Sequence, residues 1–413
     1  MNVFFRIGDK FSDKLYCPRL IHFTYIHTYI YIYINIVLQA LTLQTVSSLI
    51  KKEKSGPSIM LKNYIAKQVT SDELRTLITC SGRFVLHSVS KDPYDNLALE
   101  DYLFRHTPLP ESTSATSVKN NRLFLYINNP CCVIGRNQLL WREVNVSRAI
   151  AQGIPLVRRL SGGGAVVHDW GNINYAHVTT RDGFTRTEFT TKLVRWLVER
   201  DPTTLYSRLQ ATDRGDITLD GTHKLGGSAF KIGARGRAYH HGTLLVDSQL
   251  DQIKGLLQSS QGIPGVTWTG SGVDSVRAHV TNLPGSHSVT SIWETITMGF
   301  QRDFAGSANN HVPPNSSSHI SQHVPVYSCN ASKLQIAEVQ ETAQKLRSAD
   351  WVHGGGPPFS VHFGPPQTMP ERNVAVRHGI ICATDIVGLA LGTPFAEFCR
   401  TSRAVHGLGV DSL

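Results

Sequence analysis

The chain has 413 residues, a formal net charge of +10, 41% hydrophobic and 17% charged residues, which is ample for one large domain and a smaller one. The positive charge is dispersed. Its densest clusters, Lys51-Lys52-Glu53-Lys54 and Arg235-Gly236-Arg237, are too short for a nucleic-acid tail, so the balance reads as a basic surface suited to anionic substrates or acidic partners. Seven cysteines, an odd number with no CxxC and no zinc spacing, exclude a disulfide scaffold and a structural zinc site and point to a reducing compartment.

In chain order, residues 20–50 form an apolar run long enough to span a bilayer, but interrupted by Asn35, Gln39 and Gln44. Its Tyr/Ile alternation has the period of a strand, not the texture of a membrane helix. The run reads as a membrane anchor, a targeting extension, or sequence ahead of a true start at Met60; the alternation favours the last, and a membrane protein is not expected. Residues 60–80 begin basic and then turn mixed, a weak organelle-targeting segment. Residues 1–83 are therefore set apart as an N-terminal extension.

An ordinary domain is expected over residues 84–304. FVLHSV (84–89) reads as a strand and YDNLALEDYLFRH (94–106) as a helix, from apolar residues at Leu97, Leu99, Tyr102 and Leu103. RLFLYIN (122–128) and CCVIG (131–135) are strands around the turn Asn129-Pro130, and a helix over 144–153 ends at Gly153. PLVRRL (155–160) is a strand feeding the loop SGGGAVVHDWGN, and INYAHVTT (173–180) is the next strand. A helix covers 187–200, strands bracket 216–246, and helices follow at 251–258 and 288–304. A Pro/Ser/Asn-rich linker, 305–329, leads to a smaller unit, 330–413, with one helix and short strands. Strands interleaved with helices give an α+β class, mixed sheets flanked by helices with a small α+β accessory domain.

Chemistry concentrates in three stretches. Arg158-Arg159-Leu160-Ser161-Gly162-Gly163-Gly164-Ala165-Val166-Val167-His168-Asp169 puts three glycines after a strand, where backbone N–H groups can cradle phosphate and Arg159 can offer a charged fork. A tight structural turn explains a triple glycine equally well, and the loop is neither a Walker A nor a Rossmann fingerprint. Thr222-His223-Lys224-Leu225-Gly226-Gly227-Ser228, following Asp216, offers a lysine able to stabilise an oxyanion or leaving pyrophosphate, although a surface lysine in a turn fits as well. Tyr239-His240-His241-Gly242 pairs two histidines with no acidic residue or third histidine at a ligand spacing, which suits packed or hydrogen-bonded residues at a strand edge.

The order of these blocks resembles the lipoate–protein ligases and lipoyltransferases of the biotin/lipoate ligase fold. The resemblance runs through DPYDNLALEDYLFRH (92–106), INNPCCVIGRNQ (127–138), RRLSGGGAVVHDWGN (158–172), DITLDGTHKLGGSAFK (216–231), HHGTLL (240–245) and GVDSVRAHVTNL (272–283). It covers roughly residues 84–304, and the joint occurrence is specific. It implies attachment of lipoate, or octanoate, to a carrier-protein lysine through an acyl-adenylate, with ATP and Mg²⁺. The implied ATP and lipoyl-AMP site comprises Arg159, Gly162, Gly163, Gly164, Ala165, Val166, Val167, His168, Asp216 and Lys224. Lys224 would be catalytic; Arg159, His168 and Lys224 would bind lipoate, and Asp216 would be a metal contact. Leu160, Val166 and Tyr175 are candidate liners of the acyl tunnel, or else core residues. The implied partners are lipoyl carrier domains of 2-oxo acid dehydrogenases and the glycine-cleavage H protein, and the implied setting is a mitochondrial monomer.

The sequence departs from the family pattern at Gly226, where a serine is common, and at Gly215, where an asparagine is usual. Both bear on ATP activation and keep open a transferase using a preformed acyl donor, or a non-catalytic carrier-binding scaffold. A cysteine-based octanoyltransferase ranks lower because Cys131 and Cys132 fall in a predicted buried strand. The glycine-arginine loop of biotin ligases is missing, and Arg235-Gly236-Arg237 sits in another block.

Overall fold

Alternation builds the centre of the molecule. In the computed structural model, β3 (Arg122–Tyr126) sends Leu123 and Leu125 to one face of its sheet and Phe124 and Tyr126 to the other, all buried. Its neighbour β2 (Phe84–Ser88) does the same with Val85 against Phe84 and Leu86. The structure describes residues 66–109, 120–202, 205–233, 236–258, 265–305, 324–364 and 372–401. The apolar run at 20–50, Met60 and most of the linker lie outside the described residues.

These strands belong to a seven-stranded mixed sheet. Its order is β1 (Lys67–Gln68), β15 (Val326–Cys329), β2, β3, β7 (Asn172–Thr180), β12 (Arg237–Leu245) and β11 (Ser228–Ile232). The first four strands are parallel and the last three antiparallel. One face is covered by α2 (Pro93–His106) and α8 (Ala337–Arg347), the other by α5 (Glu188–Arg200) and α7 (Val289–Asp303). Because both faces are covered at the centre of the sheet, β2 and β3 are buried along their whole length.

Three smaller sheets surround it. The first joins β14 (His279–Val280), β10 (His223–Gly226), β9 (Ile217–Leu219) and β8 (Leu209–Ala211). In the second, β4 (Cys131–Ile134) lies between β5 (Leu156–Arg158) and β6 (Val166–His168). The third is an antiparallel meander of β13 (Val266–Gly270), β16 (Phe359–Phe363), β17 (Arg372–Arg377) and β18 (Ile380–Thr384). Short helices α3 (Leu140–Glu143), α4 (Val146–Ala151), α6 (Leu250–Ile253), α9 (Ala349–Gly354) and α10 (Phe395–Thr401) fill the connections. Trp141, Phe359 and Phe395 pack together beneath the meander.

Two local readings change. Residues 67–79 do not trail away from the fold: β1 pairs with β15, and α1 (Ser71–Thr79) buries Leu74 and Ile78 completely. The Thr70 hydroxyl and the Glu73 carboxylate close a capping box there, which gives Glu73 a structural role at the start of the helix. The helix expected over 251–258 shrinks to α6, which ends just before Gly255, in the left-handed region at φ 80°. No described helix is long and apolar enough to cross a membrane.

Candidate active site

The glycine loop joins β5 to β6, and Arg159 holds it in shape. Arg159 Nη2 donates to the carbonyls of Gly162 at 2.5 Å and Gly164 at 2.9 Å, and Nε donates to Ser161 Oγ at 3.0 Å. Gly163 sits at φ 87°, and a Cβ there would lie 2.8 Å from Arg159 Nη2, so only glycine lets the loop close over the guanidinium. Burial lowers the Arg159 pKa to about 10, which leaves it charged at neutral pH. Nη1 has no protein hydrogen bond among the described residues, and Arg159 lines a cavity of about 140 Å³. The amides of Gly162, Gly163 and Gly164 likewise have no protein acceptor among the described residues, leaving donors of the kind that hold an anion.

Sheet parity decides which side chains reach this cavity. On β7, Asn174 lines it, whereas Tyr175 faces the opposite core against Phe189 and His240. On β12, His241 lines it and His240 joins Tyr175 in the core. The two histidines therefore point apart, and β12 is an interior strand, not the edge expected from the sequence. Tyr175 is thus core and not a tunnel liner, and Leu160 packs in the core under α2 without reaching the cavity. Of the three candidate liners only Val166 reaches it.

His168, on the cavity wall, is oriented by a pair of buried amides. Asn96 Nδ2 donates to the Ser90 carbonyl at 3.0 Å and to Asn128 Oδ1 at 2.9 Å, which fixes both amides. Asn128 Nδ2 must then donate to His168 Nδ1 at 3.0 Å, placing the His168 proton on Nε2. Burial, reinforced by Arg159 and His241, lowers the His168 pKa to about 3, so it is a neutral donor at working pH. Behind it runs a buried chain. Ser161 Oγ contacts His241 Nε2 at 2.8 Å, His241 Nδ1 contacts Glu100 Oε1 at 2.7 Å, and the Tyr126 hydroxyl donates to Glu100 Oε2 at 2.9 Å.

Lys224, on β10, meets Asp216 at 3.0 Å, both side chains partly exposed. It lines the inner cavity and also a second one of about 650 Å³. The two share Ala165, Val166, Lys224, Gly227, Thr243, Ser275 and Val276, so these residues form the neck between an inner and an outer compartment. Val167 lines only the outer one. Of the ten residues of the implied ATP and lipoyl-AMP site, all line one or both compartments except Gly162, whose contribution is its carbonyl to Arg159. Tyr126, Asn174, Thr243 and Ser275 were not singled out from sequence; only the even-numbered register of β7 could have pointed to Asn174.

The departures Gly215 and Gly226 have packing reasons. Gly215 lies at φ 81°, where a Cβ would stand 2.7 Å from the Arg186 carbonyl, and a Cβ at Gly226 would stand 2.2 Å from the Thr243 carbonyl. Cys131 and Cys132 are buried in β4; burial raises the thiol pKa of both, of Cys132 to about 12, which disfavours a thiolate nucleophile. Among the described residues, no three His, Cys, Asp or Glu side chains cluster as a metal site.

Residues 92–300 match the family model for the lipoyl protein ligase A/B catalytic domain. The chain belongs to the lipoate–protein ligase and lipoyltransferase family. A Saccharomyces cerevisiae relative named "Putative lipoate-protein ligase A" is 38% identical over 298 residues, 72% of this chain and 66% of its own. The human "Lipoyl amidotransferase LIPT1, mitochondrial" is 33% identical over 285 residues, 69% of each chain. The chain thus spans about two thirds of the length of these relatives. The crystal structure of P. falciparum LipL1 with lipoate superposes with a TM-score of 0.50 at 20% identity, over 73% of this chain and 84% of that one, so the fold is that of the lipoate ligases.

Proposed function

We propose that this family member attaches lipoate, or octanoate, to a lysine of lipoyl carrier domains by way of lipoyl-AMP. The observation that carries the reading is Lys224 at the neck between the two compartments, held by Asp216. The inner compartment takes the acyl chain, with Val133, Leu97 and Val166 along it and Tyr126 and His168 at its polar positions. The outer one takes the nucleotide.

The carboxylate oxygen of the acid attacks the α-phosphorus of ATP, and pyrophosphate leaves with its electron pair. The carrier amine then attacks the acyl carbon of the mixed anhydride, AMP departs, and the amine loses a proton as the amide forms. Lys224 sits where both steps build negative oxygen, so its ammonium stabilises both; the free glycine-loop amides add neutral donors. Asp216 orients Lys224. A divalent cation would arrive on the triphosphate, since Mg²⁺ keeps most of its water and needs one or two carboxylates at most; Asp216 is the carboxylate nearest to Lys224.

A second reading has a specific support, the amidotransferase name of the human relative: the same neck would serve a transferase that receives its acyl group preformed. The mitochondrial setting is proposed on the same relative. The test incubates the protein with an apo carrier domain, lipoate, ATP and Mg²⁺, beside Lys224→Ala. Carrier modification with release of AMP, lost in the variant, is the expected result. Modification only from preformed lipoyl-AMP or another acyl donor selects the transferase. No modification from any donor, or full activity in Lys224→Ala, overturns the mechanism.

A further inference from the structure

The segment between β13 and β14 crosses the glycine loop and lines the neck with Ser275. Its position is fixed from three sides. The Ser275 amide donates to the buried Glu143 carboxylate at 3.3 Å, the Ala165 amide donates to Ser275 Oγ at 2.8 Å, and Gln138 Nε2 donates to the same oxygen at 3.0 Å. The orientation of the Gln138 amide is not free, because its Oε1 accepts the backbone N–H of Gly135 at 2.9 Å. Gln138 Nε2 is therefore a donor, and so is the Ala165 backbone.

A serine hydroxyl has two lone pairs and one proton. Here two donors fill both lone pairs, so the hydroxyl can only give its proton away. No protein acceptor for that proton is present among the described residues, and Ser275 borders both compartments. We infer that Ser275 is a substrate-binding residue whose hydroxyl donates to an anionic oxygen at the neck, either the carboxylate of the acyl acid or the phosphate of the acyl-adenylate. Gln138 is its positioning residue: by occupying a lone pair it prevents the hydroxyl from serving as an acceptor and tunes the neck for anions. A neutral ligand group that must itself donate, such as a primary amide, finds no acceptor on Ser275. The inference rests on the acyl-adenylate reading of the neck.

Calorimetric titration of the full chain tests it with two probes, lipoate alone and a sulfamoyl-linked lipoyl-adenosine that mimics the adenylate without reacting. Loss of a hydrogen bond to a charged acceptor predicts that Ser275→Ala weakens the probe it serves by roughly 10-fold to 100-fold. Ser275→Thr, which keeps the hydroxyl, stays within about threefold for the same reason. The probe that is weakened identifies carboxylate or adenylate as the acceptor. Wild-type affinity for both probes in Ser275→Ala overturns the inference while leaving the ligase reading intact. Failure of Ser275→Thr to restore binding, with a fall in the melting temperature of both ligand-free variants, assigns the hydroxyl to holding the loop and also overturns it. A wild-type protein that binds neither probe overturns the functional reading itself.

Discussion

Arg159 spends much of its charge inside the protein. A pair of carbonyls from its own loop and the Ser161 hydroxyl occupy one edge of the guanidinium, and the Nη1 end is left for the cavity. If the residue served only as a positive charge, lysine would replace it. If it shapes the loop, lysine fails, because one ammonium cannot span Gly162, Gly164 and Ser161 in the planar fork geometry. Arg159→Lys is therefore expected to lose about 2–4 kcal/mol of stability in urea titrations, from hydrogen bonds to a charged donor left unmade. The KM for the acyl acid should rise at the same time. Stability unchanged from wild type would show that the loop holds itself. Residues whose chemistry is local, such as Arg159, Lys224 and the glycines, are legible in the sequence because each motif carries its own reason. Ser275, Asn174 and Tyr126 are not, since their presence at the neck or cavity wall depends on which face a distant strand or loop presents.

At the scale of elements, the other arginine of the pair is a clamp. Arg158 Nη1 donates to the carbonyls of Gln138 at 2.8 Å and Arg136 at 3.0 Å, while its Nε donates to Val352 at 3.0 Å. The Trp351 indole answers by donating to the Arg158 carbonyl at 2.8 Å. Strand β5 thus ties α9 to the turn after β4, the same turn that holds Ser161 through the Arg136 amide. Arg158 is buried with carbonyl partners instead of a carboxylate, and burial lowers its pKa to about 10, so it stays charged at neutral pH. Arg158→Leu strands several buried carbonyls at once and is expected to cost about 3–5 kcal/mol, measured by denaturant unfolding. A loss under about 1 kcal/mol, the size of an ordinary surface change, would show that water replaces the clamp. Long periodic helices such as α5 and α7 stand close to where the spacing places them, because an amphipathic stripe encodes burial locally. What the spacing could not show is that β15, in the last residues of the expected linker, enters the main sheet beside β2, or that β13 joins the meander. Strand partners are chosen by packing across the whole chain, and no local pattern records them.

For the whole molecule, burial of neutral histidines sets the response to acid. Burial lowers the pKa of His87, His168 and His177 to about 3 and of His240 to about 4. An unfolded histidine takes up its proton near pH 6.5, so below that pH the unfolded chain binds more protons than the folded one. Stability therefore rises with pH through the window from about 4 to about 6.5 and is level above it, as far as these groups are concerned, each contributing a slope of up to about 1.4 kcal/mol per pH unit. Melting temperatures measured between pH 7.5 and pH 5 should be flat at first and then fall steeply. His240 isolates one of these contributions. Among the described residues neither of its buried ring nitrogens has a hydrogen-bond partner, and the ring packs between Tyr175 and Phe189, so the folded state gains nothing from its polarity. Replacing it with leucine, of similar volume, removes that desolvation cost and one titrating group together. His240→Leu is expected to equal or exceed wild-type stability at pH 7.5 and to lose less on acidification to pH 5. A variant that is less stable at pH 7.5 and keeps the full acid slope would mean that His240 has a partner in solution, and that the acid sensitivity arises in the other three.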